Sequence, residues 1–238
     1  MDKEKLIEHL FHLGAHLGHK SNRVHPRAKK YIHSIQNGVS IIDLEKTVAC
    51  LNEAKKFISQ AAKRQDKLLT VATKKIVAAK VAEICQKNDV LYITLKWPAG
   101  LLTNFDSICQ NIKKLQQLKE EKEKGLWDKL VKHERLKLEK RLRKIEKFYQ
   151  GIIGLDKLPD ILFVVDIKKE KNAVEEARKL NIPIIAITDT NVNPDIVDYP
   201  IPANDDLIES VEFLVREIIE CYSKNRQNKP NKSIYRYD

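Results

Sequence analysis

The sequence predicts an α/β domain in which helices cover both faces of a parallel β-sheet, giving three layers. Short runs rich in Val, Ile and Leu recur along the chain, and amphipathic helical segments separate them. Strands connected in this way run parallel and are buried on both faces. A long charged stretch between two of the strands adds a second expectation, an inserted antiparallel helical hairpin at residues 105–150.

An N-terminal helix, a β-hairpin and a long helix are predicted first along the chain. The first helix should end at Gly14, and its apolar stripe is Leu6, Leu10 and Leu13. Asn37-Gly38 predicts a primed turn between two short strands that end near Ile42. The long helix then begins at Asp43. Its apolar residues are Val48, Leu51, Ala54, Phe57 and Ile58.

The segment from residue 10 to residue 42 contains no acid, and Gly18 and Pro26 predict that it forms a loop that presents charge. Its cations are Lys20, Arg23, Arg27, Lys29 and Lys30. Five cations without a counter-charge repel one another, so we expect an anion to gather them.

Strands and helices alternate through the rest of the chain. The predicted strands are 68–72, 90–93, 161–165 and 184–187, with a short one near Ile201, and the predicted helices are 74–86, 173–180 and 207–221. We therefore expect one α/β domain made of residues 1–104 and 151–223, interrupted by the hairpin. Residues 224–238 form a basic tail that we expect to be disordered until it meets a partner.

The inserted hairpin carries two apolar seams. The first is Ile108, Ile112, Leu115 and Leu118, and the second is Val131, Leu138, Leu142, Ile145 and Tyr149. The second seam is close to a heptad repeat, which favours a coiled coil, with Gly125 in the link. Thr103 or Asn104 is placed to cap the first helix. Pairs such as Glu120–Lys124 and Glu139–Arg143 leave open the interpretation of a merely solvated coiled coil.

The charge balance favours a nucleic-acid partner. The net charge is +11, and fourteen Lys or Arg against eight Asp or Glu give residues 105–150 +6 of it. Such a surface suits a polyanion, because each cation that neutralises a phosphate releases a counterion. With only 6% aromatic residues the chain does not suit base stacking, so structured RNA or a duplex is the expected target.

Several other classes of protein are disfavoured. No stretch approaches the about 18–20 apolar residues of a membrane span, and residues 1–13 lack an import signal, so we expect a soluble protein that stays in the compartment where it is made. The four cysteines are scattered, which predicts neither a zinc ribbon nor a redox dithiol. They fit a reducing cytoplasm or organelle matrix.

An enzyme is the alternative interpretation. Acids stand near predicted strand ends and resemble the acidic pocket of a phosphoacceptor or Mg²⁺-dependent hydrolase. They are Asp166, Asp189, Asp205 and Asp206. The chain lacks the G-x-G-x-x-G, G-K-[ST] and G-x-S-x-G motifs, and such a pocket has no need of a basic hairpin. We therefore predict no catalytic residues and no small-molecule substrate.

Motifs along the whole chain together resemble one family, ribosomal protein S2 of bacterial and organellar small subunits. They are LGAHLGH at 13–19, IIDLEKT at 41–47, TKK at 73–75, LTN at 102–104, LPD at 158–160 with FVVD at 163–166, ITDTN at 187–191, and YPIP at 199–202 with NDD at 204–206. The chain departs from the family pattern in three places. Leu17 replaces an aromatic residue, and Ala203 replaces Gly. The sequence Lys96-Trp97-Pro98-Ala99-Gly100 stands where the family usually has Arg-Trp-x-Gly-Gly.

The resemblance implies a flavodoxin-like α/β domain with a protruding helical hairpin. It also implies a structural, non-catalytic constituent of the small subunit that binds 16S-type rRNA, supports assembly and translation, and contacts neighbouring ribosomal proteins. Its location would be the bacterial cytoplasm or an organelle matrix. The expected RNA-binding residues are Lys20, Arg23, Arg27, Lys29, Lys30, Thr73, Lys74, Lys75, Lys96, Trp97, Thr103, Asn104, Lys113, Lys114, Arg141 and Arg143.

No cofactor is required by these features, but a metal site is a hypothesis. The resemblance implies that His19 lies near Asp189 and Asp205, a set that suits Zn²⁺ or Mg²⁺. Alternatively, Asp205 caps the last helix, Asp189 fixes a turn, and His19 contacts RNA or packs. The His12, His16 and His19 spacing is interpreted as structural. Residues 188–212 hold seven acids and no Lys or Arg, which predicts a surface that faces away from rRNA and receives a protein partner.

Overall fold

The structure is a computed structural model that describes residues 2–226. The helices of this range are α1 Lys3–His12, α2 Leu44–Lys63, α3 Lys75–Lys87, α4 Phe105–Glu123, α5 Lys132–Tyr149, α6 Lys171–Lys179 and α7 Ile208–Asn225. The strands are β1 Leu17–Lys20, β2 Ile32–Gln36, β3 Val39–Ile42, β4 Leu68–Val71, β5 Leu91–Ile93, β6 Ile161–Val165, β7 Ile184–Thr188 and β8 Tyr199–Pro202.

Five strands form a parallel sheet in the order β5-β4-β6-β7-β8. Every residue of β4, β6 and β7 is buried, as expected for strands covered on both faces. Along β6, Phe163 joins one apolar core with α2, α3 and α7, whereas Leu162 and Val164 join a second core with α6 and the start of α4. The predicted α/β fold with a parallel sheet is confirmed.

A smaller antiparallel sheet with the order β1-β3-β2 precedes the main sheet. Asn37 and Gly38 have φ values of 50° and 76°, as a primed hairpin turn requires. The prediction of a charge-presenting loop within residues 10–42 is wrong in part. Leu17–Lys20 pairs with β3, and two 3₁₀ segments follow at Ser21–Arg23 and Pro26–Tyr31. The exposed strand β1 carries no alternating apolar pattern, so hydrophobic periodicity could not reveal it.

The insert consists of α4 and α5, which contact each other through a small apolar cluster. Its buried members are Leu115, Leu118, Trp127 and Leu142. Lys119 Nζ lies 2.7 Å from a Glu146 carboxylate oxygen across the two helices. Gly125 has a φ of 67° in the link, as expected. Val131 was predicted in the seam, but it precedes α5 and its side chain is 66% exposed.

Helix α7 runs to Asn225, beyond the predicted end at Cys221. Tyr222 lies buried against the main core, and its hydroxyl donates to the carbonyl oxygen of Asp66 at 2.7 Å, so packing extends the helix. The start of the predicted basic tail is therefore helical. Its remainder, residues 227–238, lies outside the described residues. Among residues 2–226, no helix is both long and apolar enough to cross a membrane.

Candidate nucleic-acid interface

The carboxyl ends of the parallel strands gather the predicted acids around one ammonium group. Lys74 follows β4 and precedes α3, and its Nζ lies 2.8 Å from Asp205 Oδ1 and 2.5 Å from Asp206 Oδ1. It also donates to the Asp205 carbonyl oxygen at 2.7 Å, and Asp166 Oδ2 lies 3.6 Å away. The Lys74 side chain is only 15% exposed. Lys74 thus occupies the centre that the enzyme hypothesis treats as an acidic pocket.

The carboxylates of Asp166, Asp205 and Asp206 share this single ammonium group, and the pKa values of Asp205 and Asp206 are both shifted. Burial and the neighbouring Asp166 carboxylate raise the pKa of Asp205 to about 7. The hydrogen bond from Lys74 lowers the pKa of the more exposed Asp206. For Lys74, burial opposes the charge, but the hydrogen bonds to Asp205 and Asp206 prevail and raise its pKa. The lysine is therefore a permanently charged structural group of this edge.

His19, at the edge of the same cluster, binds the end of β7. Its Nδ1 lies 2.9 Å from Asp189 Oδ2, and its Nε2 lies 2.9 Å from Asn191 Nδ2 and 3.9 Å from Asp206 Oδ2. The hydrogen bond with Asp189 raises the pKa of His19. Ligand atoms of His19, Asp189 and Asp206 lie within 4.8 Å of one another. Among described residues, Asp206 thus takes the place predicted for Asp205, which turns to Lys74.

Two of the five cations of residues 20–30 lie beside an acid of the protein itself. Lys30 Nζ lies 2.6 Å from Asp195 Oδ1, and Arg27 Nε lies 3.9 Å from Asp195 Oδ2. The acidic segment of residues 188–212 is therefore not a separate pole, because Asp195 joins the cations and Asp189 joins His19. Lys20, Arg23 and Lys29 are exposed, and none of them forms an ion pair within residues 2–226.

The turn between β5 and α4 is organised by Glu176, a residue that the sequence analysis did not single out. Its carboxylate accepts hydrogen bonds from the Trp97 indole at 3.0 Å and from the Gly100 and Leu102 backbone N–H groups at 2.8 and 3.0 Å. Burial opposes the charge, but these hydrogen bonds lower the pKa of Glu176. The signal for it was a charged residue on the apolar face of α6, between Val174 and Ala177.

This turn also accommodates Pro98 and Ala99. The Leu101 N–H donates to the Pro98 carbonyl oxygen at 3.0 Å, and the Asn104 N–H donates to that of Gly100 at 2.7 Å. Gly100 has a φ of 82°, so the one remaining glycine lies where the left-handed conformation is needed. Asn104 is the residue before α4, but its side chain forms no capping hydrogen bond to the helix backbone.

The other predicted contact residues divide by exposure. Trp97 is buried, and Thr73 directs its hydroxyl to Glu170 Oε1 at 2.5 Å. Lys96, Thr103 and Asn104 have exposed side chains. On the outer surface of α3, α4 and α5, further cations without an ion pair among the described residues are Lys75, Lys113, Arg141 and Arg143, with Lys114 partly buried.

The ion pairs of the insert differ in part from those predicted. Lys124 lies 3.5 Å from Glu120, as expected. Glu139 instead pairs with Arg135 at 3.8 Å. Arg143 is therefore left without the predicted partner, which adds to the uncompensated positive charge of α5.

These features define an α/β protein with a strongly cationic surface. Its clustered acids bind its own Lys74 and His19 and do not form an exposed reactive centre among the described residues. A family model described as ribosomal protein S2 matches residues 10–224. The chain belongs to the ribosomal protein S2 family, whose members are non-enzymatic structural proteins of the small ribosomal subunit and act in translation.

Proposed function

We propose that this protein is a structural constituent of the small subunit that binds 16S-type rRNA through two cationic surfaces. One is the N-terminal segment of residues 20–30, and the other is the insert with the turn before it. The observation that carries the proposal is the set of exposed cations on both surfaces that form no ion pair within residues 2–226. A polyanion that replaces condensed counterions is the partner that such surfaces favour.

We assign the candidate RNA-binding residues to two roles, and their exposure and their partners inside the protein support this assignment. The first role is direct contact with phosphate or ribose, and its residues are Lys20, Arg23, Lys29, Lys75, Lys96, Thr103, Asn104, Lys113, Lys114, Arg141 and Arg143. The second role is to shape the surface from beneath or beside it, and its residues are Arg27, Lys30, Thr73, Lys74 and Trp97. The second group already has partners inside the protein.

The architecture proposed for this function is a flavodoxin-like domain, residues 1–104 and 151–223, from which the insert protrudes as an antiparallel coiled coil. The strand order supports the first part, because in chain order within the main sheet it is 2-1-3-4-5. Contacts of Lys119 with Glu146 and of Asn111 with Tyr149 support antiparallel packing of α4 and α5. A protruding cationic hairpin could reach rRNA grooves that the domain itself does not.

A metal ion and a protein partner complete the proposal. His19, Asp189 and Asp206 offer the donor types that Zn²⁺ or Mg²⁺ takes, although Lys74 competes for Asp206. Elemental analysis of the protein, compared with His19→Ala and Asp189→Asn, tests the ion: stoichiometric metal lost in both variants supports it, and equal trace metal in all three refutes it. A neighbouring small-subunit protein is the partner proposed for residues 188–212.

Co-sedimentation with small ribosomal subunits tests the function as a whole. We expect the protein to sediment with subunits at low salt, to be released as salt rises, and to be released by ribonuclease. Protein that stays in the supernatant at low salt, or that stays on particles after complete ribonuclease digestion, would contradict rRNA binding. Turnover of any nucleotide by the purified protein would contradict the structural role.

A further inference from the structure

Glu176 is a buried carboxylate on which one whole turn of the chain converges. The residue is 9% exposed. Its Oε1 accepts from the Trp97 indole and the Gly100 N–H, and its Oε2 accepts from the Leu102 N–H and, at 3.3 Å, the Thr103 N–H. The Thr103 hydroxyl lies 3.5 Å from the same oxygen. The backbone N–H groups of Gly100, Leu102 and Thr103 thus obtain from one side chain the hydrogen bonds that a strand or helix would otherwise provide.

Only a carboxylate fits this position. Both oxygens act as acceptors, and each receives at least two donors. A glutamine would keep one acceptor but would turn an NH₂ group toward N–H donors for which residues 2–226 provide no other acceptor. The arrangement is therefore specific for the charged form of the side chain, and it ties α6 to a segment more than seventy residues earlier in the chain.

The turn has a buried side and an exposed side. Trp97, Leu101 and Leu102 pack into the core that contains α6 and the start of α4. Lys96 and Asn104 flank this buried stretch, and both are exposed. Because the donors to Glu176 lie between these two residues, the carboxylate determines how they are presented at the surface.

We propose that Glu176 is a positioning residue of the rRNA interface, holding residues 97–104 so that Lys96 and Asn104 contact the RNA backbone at the base of the insert. This inference rests on the proposed rRNA-binding function. Glu176 itself does not contact RNA, since it lies beneath the turn. Replacing Glu176 should therefore weaken RNA binding by removing the contact of another residue, such as Lys96.

A double-mutant cycle on the full chain tests the inference. Binding to protein-free small-subunit rRNA is measured across a salt series for wild type, Lys96→Ala, Glu176→Gln and the double variant. Each lost phosphate contact should flatten the dependence of log affinity on log salt by about one unit. We expect both single variants to show this loss and the double variant to show no further loss attributable to Lys96. Glu175→Gln, the exposed neighbour on α6, removes the same charge and should keep the wild-type slope.

The outcomes separate positioning from simple structural support. A purely structural Glu176 would lower the melting temperature while Lys96→Ala still flattened the slope in the Glu176→Gln background, and that result overturns the inference. Should Glu176→Gln not fold, Glu176→Asp keeps the charge but shortens the side chain, and the same loss of the Lys96 contribution is expected. Wild-type protein that does not bind rRNA refutes the proposed function. Wild-type binding with an unchanged slope in the Glu176 variants refutes the inference alone.

Discussion

Lys74 lies in the middle of three carboxylates, and this placement changes its expected role at the scale of the residue. In sequence it belongs to a run of two lysines after a strand, and both were expected to bind RNA. The structure holds the partly buried Lys74 beside the buried Asp205 and leaves Lys75 exposed at the start of α3. Buried ions are tolerated because they are paired, and removing one partner leaves the other uncompensated.

Replacing Lys74 by Met should destabilise the protein by about 3 kcal/mol, because Asp166, Asp205 and Asp206 would then repel one another without a counter-charge. The matched change Lys75→Met should alter the free energy of unfolding by no more than about 0.5 kcal/mol. Urea unfolding at pH 7 measures both. Equal stability of the two variants would mean that the cluster adds nothing to folding.

Glu176 provides a pH-dependent test on the same scale. Its pKa in the folded protein lies below the ordinary value of 4.5, so its contribution to stability is present above about pH 4.5 and is lost as the pH falls through the folded value. Glu176→Gln should cost about 2 kcal/mol at pH 7, and the gap to wild type should narrow in acid. Chemical unfolding at pH 7 and at successively lower pH measures the gap. A gap that stayed constant down to pH 3 would exclude ionisation as the cause.

The helical insert returns to the sheet through a glycine that has no room for a side chain. A Cβ added to Gly151 would clash with the backbone carbonyl oxygen of Tyr92, a residue of β5. At Gly154 the nearest atom would be Leu91 Cδ2 at 3.7 Å, an ordinary contact. The end of the insert is therefore pressed against the edge strand at one residue, which fixes where the chain after α5 meets β5.

Gly151→Ala should accordingly destabilise the protein by about 1–3 kcal/mol, since backbone must move to admit the methyl group. Gly154→Ala is the matched control and should be neutral or slightly stabilising, because it mainly reduces the freedom of the unfolded chain. Thermal unfolding compares the two, and amide exchange of α5 shows whether the loss is local. Similar melting temperatures for both variants would contradict the close approach at Gly151.

The long helices and buried strands were predictable from the sequence, whereas the contacts between distant segments were not. The apolar stripe of α2 predicts a helix, because burial of one helix face imposes a period of 3.6 residues. The apolar run of β6 predicts a strand, because burial of both strand faces requires a continuous apolar run. Three contacts depend instead on how the chain crosses over between distant segments. They are the hydrogen bond that Trp97 donates to Glu176, the ion pair of Asp195 with Lys30 and the position of Asp206 beside His19. Charge counted along the sequence therefore overestimated the free cations of residues 20–30.

For the whole molecule, what matters is which cations remain after internal pairing. The net charge of +11 contains +6 from residues 105–150. Arg27 and Lys30 share the one carboxylate of Asp195, and Lys74 pairs with Asp205, so acids of residues 188–212 offset part of the positive charge. Lys56 and Lys63 on α2 are exposed and form no ion pair within the described range, yet they lie outside both proposed RNA surfaces. They provide a control for net charge alone.

Removing Arg23 and Lys29 together should flatten the salt dependence of rRNA binding by about two units, since each releases about 0.9 counterion through its phosphate contact. Lys56→Ala combined with Lys63→Ala removes the same charge from the other surface. That variant should weaken binding slightly through the long-range field but keep the wild-type slope, because no bound phosphate is lost. Fluorescence anisotropy with labelled small-subunit rRNA across a salt series gives both slopes. Equal flattening in the two variants would show that net charge, and not the N-terminal surface, controls the interaction.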